Sequence, residues 1–319
     1  MTRASIIIPA WNAESCIEEC INSIKRQTME DFECIVVNDG STDNTVEMAR
    51  NAIADDERFQ IVSTPHEGLS NARNVGIDHS NSDIIFHVDA DDEPMPEMLN
   101  HAVEFLTDND LEIVFFDAMP RFDESLSFMK KSVTRYFTRR RNYGIQSGKT
   151  MLGEMAANRD LVYAAFIQAT RKSAIREKFH YGLRAQDILY TTENFYLAKR
   201  IGHLSEILYV KNINPDSISN TKHDAHYIQS LLTTIKELQS FAERECGNNS
   251  RSIEIVIAQV FQFLLFAIKH LEKDDWKNIS EMSIADRTLV INLARTVFMP
   301  STRRQLEDDL LSDENLNSF

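Results

Sequence analysis

Short apolar runs recur along the first 120 residues, with polar or amphipathic stretches between them. The runs at 5–8 (SIII), 34–37 (CIVV), 59–62 (FQIV), 84–88 (IIFHV) and 113–116 (IVFF) have the length and β-branched or aromatic content of buried strands. The stretches around 14–26, 42–54, 69–79 and 96–107 have the length and composition of helices. Such alternation predicts an α/β fold, a mixed but mainly parallel sheet flanked by helices. Ser41, Thr42 and Asp43 are placed to cap the second helix, and Pro96 suits a first helical turn. Helices that begin just past strands put the informative loops at the carboxyl edge of the sheet, where open sheets of this type bind ligands.

Between 121 and 148 the pattern weakens. There Lys130, Lys131, Arg135, Arg139, Arg140 and Arg141 interleave with Phe128, Tyr136 and Phe137, which reads as a connector or lid. Further on, 151–158, 173–178 and 187–198 read as helices and 164–170 and 206–210 as strands. After Ser219 the character is helical throughout, at 225–246, 252–271, 284–297 and 303–311, with Gly247, Asn248 and Asn249 as a turn. The expected organisation is a domain over 1–220, with halves of about 1–120 and 121–220, and a helical C-terminal region over 221–319. The apolar stretch 255–268, interrupted by Gln259 and Gln262, falls short of the roughly 20 residues of a spanning helix and reads as buried. Met1 leads straight into a strand, without the pattern of a secretory leader.

Composition narrows the class. Hydrophobic residues at 43% and charged residues at 26% are those of a packed globular protein. A net charge of -15 opposes a role on nucleic acid, whose phosphates require a basic face. The four cysteines form no CxxC pair, so structural zinc and a disulfide framework are not indicated, and free thiols in a reducing cytosol are expected. None of the nine glycines makes a GxGxxG turn after the first strand, which removes a nicotinamide-dependent oxidoreductase.

Chemistry concentrates in four loops. HVDADD at 87–92 ends an apolar strand with Asp89, Asp91 and Asp92 close together. Carboxylates so spaced can converge on one hard divalent cation, or form a solvated turn that caps the next helix. VNDGSTDNT at 37–45 places Asp39 and Gly40 in a turn. PAWN at 9–12 sets Trp11 where it can lie over the core or stack on a base, with Glu14 beyond. GLSNARNVG at 68–76 carries Arg73, either a surface cation or a nucleotide contact. Each loop alone has a structural explanation, but four such loops on one sheet edge are better explained by a single ligand.

In order and spacing, Pro9–Asn12, NDGSTD at 38–43, Gly68 with ARN at 72–74, and DADD at 89–92 resemble glycosyltransferase family 2. The resemblance is strong over residues 4 to about 120, fair to about 220 and absent beyond. It implies a GT-A fold, an inverting transfer and a donor carrying UDP. Carried over by position, Trp11 and Asp39 contact the base, Arg73 the base or phosphate, Asp89 the ribose or metal, and Asp91 is the metal ligand of a DXD motif binding Mn2+ or Mg2+. Pro9, Asn12, Glu14, Gly40 and Ser41 complete the donor-lining set. Trp11 stands where tyrosine is usual, which preserves a stacking ring. His87, on a buried strand, is expected to be a hydrogen-bonded core histidine.

Asp187 in RAQDILYT resembles the family's base. Gln186 stands where the family commonly has Glu, and a helix-terminal acid is the competing explanation of Asp187. NPDSISN at 214–220 resembles the loop over the donor, with Ser217 and Ser219 as phosphate contacts and His223 or His226 as a third metal ligand. The expected partners are a nucleotide-sugar donor and a saccharide or lipid-linked saccharide acceptor, in polysaccharide synthesis in the cytoplasm or at the inner membrane face. Peripheral membrane contact through 130–141 or through Arg287, Arg295, Arg303 and Arg304 remains open, as do homo-oligomer formation through the apolar helices and the alternative of a non-catalytic nucleotide-sugar-binding scaffold.

Overall fold

The structure is a computed structural model that describes residues 2–123, 125, 137–214, 224–247, 251–271, 278–279 and 281–297. Compactness divides it into two units. One comprises Met1–Gly182 and Gln186–Asn220, the other Leu183–Ala185 and Thr221–Phe319.

The first unit is built on a nine-stranded sheet. Strands β1 (Ala4–Ala10), β2 (Phe32–Asp39), β3 (Phe59–Thr64) and β4 (Ile84–His87) lie parallel in the order β3-β2-β1-β4. Next come β8 (Gln168–Arg171), antiparallel to β4, then β6 (Ile113–Phe122) and β9 (Ile201–Ile213), which run parallel to each other. Two-residue strands, β5 (Glu93–Pro94) and β7 (Ile145–Gln146), pair with β9. The long pairings are parallel, and β1, β2, β4, β6 and β9 all end at one edge.

Both faces of the sheet are covered, and the two-residue repeat of a strand decides what goes where. Ile6, Ile8, Cys34 and Val36 pack with α1 (Ile17–Lys25), α2 (Thr45–Ile53) and α4 (Met98–Asp108) through Ile21, Ala49 and Leu99. Ile7, Ile35, Val37 and Ile85 face the other way, onto Ala72 and Ile77 of α3 (Leu69–His79) and Tyr190 of α6 (Gln186–Leu197). A third cluster joins Phe115 and Ile201 to Met151 and Met155 of α5 (Gly148–Ala157) and to Phe195.

Several local expectations change. Residues 173–178 are not helical beyond a short turn at Lys172–Ala174. The backbone N–H groups of Arg176 and Glu177 donate to the Asn194 side chain on α6, so no helical ladder claims them. The strand expected at 164–170 is a 3-10 turn, Ala165–Ile167, followed by β8. Pro96 precedes α4 rather than opening it. Ser41 and Thr42 do not cap α2; they bond to Asn12, and the helix start is served by Asp43 and Glu14. Arg139, expected in a solvated lid, is buried and paired with Asp117 at 3.1 Å. Lys130, Lys131, Arg135, Phe128 and Tyr136 lie outside the described residues, as do Ser217, Ser219, His223, Arg303, Arg304 and the helix expected at 303–311.

The second unit holds α7 (Ala225–Phe241), α8 (Arg251–Lys269) and α9 (Ile284–Val297). Helix α8 is longer than the apolar stretch suggested and, by length and composition, apolar enough to cross a membrane. Its stripe of Ile253, Val256, Val260, Leu264 and Ile268 is nonetheless buried at helical spacing, while Phe261, Phe263 and Phe266 are exposed. It is therefore buried on one face, not all round.

Candidate active site

The loops after β1 and β2 are knitted together. Asn12, in the left-handed region at φ 47°, accepts from the Thr42 N–H at 2.9 Å, and its own N–H donates to Ser41 Oγ at 3.0 Å. Glu14 Oε2 accepts from the Asn44 N–H at 2.9 Å. Asp39, at the end of β2, accepts from the N–H groups of Glu67 and Gly68, both at 2.9 Å. Gly40 is required between them, because its φ is +64° and a Cβ there would lie 2.7 Å from the His66 nitrogen. Pro9 is buried in β1 opposite Val37. Trp11 is half exposed, with its ring stacked on His66 at 4.6 Å. Seven of the expected donor residues thus lie together at the carboxyl ends of β1 and β2 and in the loops that follow them.

The second part is charged. Arg73, on α3 and 1% exposed, donates to Asp89 Oδ1 at 2.8 Å through one nitrogen and to the Asp187 carboxylate through another. Its Nε has no partner among the described residues. Asp187 lies in the first turn of α6, but its carboxylate turns to Arg73. Burial pushes the Asp187 carboxyl up, and this outweighs the pull of Arg73. The neighbouring Gln186 is buried and accepts from the Ser70 hydroxyl at 2.5 Å.

Asp89, Asp91 and Asp92 follow β4, each offering one oxygen within 4.8 Å of the others. They do not cap α4: the Leu99 N–H goes to Gln27 at 3.0 Å. The three acids share a residue that sequence reading missed, Lys211 of β9. Its Nζ lies 3.3 Å from Asp89, 3.4 Å from Asp91 and 3.0 Å from Asp92. Tyr209, two residues back and so on the same face of the strand, donates to Asp92 at 2.9 Å and accepts the Asp89 N–H at 3.1 Å. The Asn212 N–H donates to Asp92 at 2.9 Å. Asp92 is sealed in by these donors, whereas the Asp91 and Asp89 side chains keep 28% and 21% of their surface.

The donor set tests whether a metal fits: three carboxylates each bring an oxygen within 4.8 Å of the others, and two of them, Asp89 and Asp91, keep exposed surface from which a hard cation could be held. Burial raises Asp91 and Asp92 despite Lys211, and only Asp89, flanked by both Lys211 and Arg73, is held below the usual carboxylate range against its burial. The residues present therefore fit a hard cation at Asp91 and Asp89.

His87, just before the acids, is buried as expected but not hydrogen-bonded among the described residues. Neither ring nitrogen has a partner, and Phe179 and Tyr190 meet the ring edge-on. Burial and the Arg73 charge hold it neutral, well below the usual imidazole range. His226 is exposed on the first turn of α7, in the other unit.

Comparisons with known proteins place the chain in a family. Residues 5–166, half of the chain, match the sequence model of Glycosyl transferase family 2. The uncharacterized glycosyltransferase YibD of Escherichia coli (strain K12) is 29% identical over 253 residues, covering 76% of this chain and 73% of that protein. The chondroitin synthase of Pasteurella multocida is 36% identical over 112 residues, which are 35% of this chain and 12% of the synthase. Among solved structures, S. aureus TarS 1-349 superposes with a TM-score of 0.67 at 19% identity, covering 98% of this chain and 88% of TarS 1-349; it has also been solved with UDP and with UDP-GlcNAc. The chain belongs to glycosyl transferase family 2. It is a glycosyltransferase with a GT-A-like fold and appended C-terminal helices.

Proposed function

We propose that the chain is a metal-dependent inverting enzyme that moves a sugar from a UDP-sugar to an acceptor hydroxyl, with residues 1–120 serving the donor and 121–220 the acceptor. The observation that carries this reading is the buried guanidinium of Arg73, which ties the metal-type carboxylate Asp89 to Asp187. In this reading Asp91 and Asp89 hold Mn2+ or Mg2+, which when bound offsets the charge of the leaving diphosphate. Trp11 stacks on the base, Asp39 fixes the loop that receives it, and Arg73 serves the donor. Asp187 takes the proton of the acceptor hydroxyl. Its raised pKa suits that work, since a carboxylate far below neutrality is a poor base.

The bound ligands of TarS support UDP and an N-acetylhexosaminyl or hexosyl donor. The name of the chondroitin synthase supports a saccharide acceptor; we extend this to a free or lipid-linked saccharide in cell-surface polysaccharide synthesis on the cytoplasmic side.

Calorimetry with UDP, GDP and dTDP, in Mn2+ and in chelator, tests the donor half. UDP should bind only with metal, and Asp91→Ala should abolish that metal-dependent binding; no metal-dependent binding of any of the three overturns the reading. For the acceptor half, Asp187→Asn should lower kcat by roughly 10²–10⁴-fold with UDP affinity kept. A variant that loses binding and turnover together would remove Asp187 from the role of base.

A further inference from the structure

The mechanism leaves one charged group without a task. Lys211 is only 5% exposed, and its ammonium lies at 3.0–3.4 Å from all three acids of the cluster. Two of those acids, Asp91 and Asp89, are the ones a divalent ion would need. The lysine is held there from several sides. Tyr209 and Asn212, its neighbours on β9, bond to Asp92, and Asn212 Nδ2 also donates to the Asp91 carbonyl at 2.7 Å. Its Nζ also lies over the Phe166 ring, 5.4 Å from the centroid. A flexible four-carbon stem thus places its ammonium inside an anionic cluster that neighbours on the same strand also bind.

An ammonium and a divalent cation a few ångströms apart repel strongly at low dielectric, so nucleotide-free protein presents the metal with a position already claimed. A nucleoside diphosphate changes the balance, because its phosphates supply anionic oxygens for both cations. We propose that Lys211 is a positioning residue that acts as a tethered counter-ion in the metal position, making entry of the divalent ion conditional on the nucleotide diphosphate. Metal and nucleotide then bind cooperatively, each raising the affinity of the other by the same factor. This rests on the reading of Asp91 and Asp89 as metal ligands.

The test is Mn2+ binding, followed by the loss of the free-ion electron paramagnetic resonance signal, for wild type, Lys211→Met, Lys211→Gln and Asp91→Asn, without nucleotide and with saturating UDP. Wild type should bind Mn2+ weakly alone and at least tenfold more tightly with UDP. Lys211→Met should bind Mn2+ alone at least tenfold more tightly than wild type, and its gain on adding UDP should shrink. Lys211→Gln, which keeps a polar group in the cluster, guards against a folding defect in the methionine variant, and circular dichroism of each establishes that it is folded. Folded lysine variants that bind Mn2+ alone no better than wild type overturn the proposal, while Asp91 remains the ligand. If Asp91→Asn leaves UDP-dependent Mn2+ binding intact, the metal reading itself fails and the role of Lys211 with it.

Discussion

Glu33 illustrates how one carboxylate closes a corner of the fold. From the start of β2 it accepts from the Ser5 hydroxyl, from the backbone and side chain of Asn81, and from the Ser82 N–H. Burial pushes its carboxyl up, but these donors outweigh burial and hold it below the ordinary range. A carboxyl depressed on folding stabilises above its unfolded pKa, and that contribution is lost as pH falls through the folded value. Glu33→Gln should therefore cost on the order of 0.5–1 kcal/mol near neutrality, solvent screening at this partly exposed site included. Urea unfolding at neutral and acid pH checks this: the gap between variant and wild type should close at acid pH, and a gap equal at both would refute it. Legibility at this scale depends on where a residue sits along its own run. Asp89, Asp91 and Asp39 stand directly after apolar strands, which made them conspicuous. Lys211 was hidden because the apolar signal faded at Val210, although a lysine alternating with Tyr209 in a strand was the available sign.

Helix α3 governs the geometry of the charged group, since it carries Arg73, and it lies close on β1 because residue 76 is glycine. A Cβ there would meet Ile7 Cγ2 at 2.2 Å and Ile7 Cβ at 3.1 Å, and Ile7 is a stiff, fully buried β-branched side chain. Gly76→Ala should destabilise by about 1–3 kcal/mol and also lower turnover, because the helix must lift with Arg73 on it. A variant as stable as wild type by thermal unfolding would show that β1 can give way. Strands β1 to β4 and β6, and helices α1 to α4, were readable as short apolar runs alternating with amphipathic stretches; the two-residue β5 was not. Elements settled by distant partners were not: residues 173–178 lose their helix to Asn194, and β9 begins at Ile201, where Gly202 and His203 carry no apolar signal.

Across the whole molecule, strand order was the least legible feature. Periodicity reports that a segment is a strand but not which strand it joins, and the antiparallel insertion of β8 between β4 and β6 depends on a segment some 80 residues beyond β4. The second compact unit, mostly from Thr221 onward, lies where the alternation of strand and helix along the sequence stops and helical spacing continues. The chain has two tryptophans, and the second, Trp276, lies outside the described residues. The first is half exposed at the proposed base position, stacked on the imidazole of His66. A nucleobase laid against that indole would change its light emission. If the proposed donor site is right, the protein carries an intrinsic optical reporter at its mouth, and the arrival of a nucleotide can be timed without attaching any label.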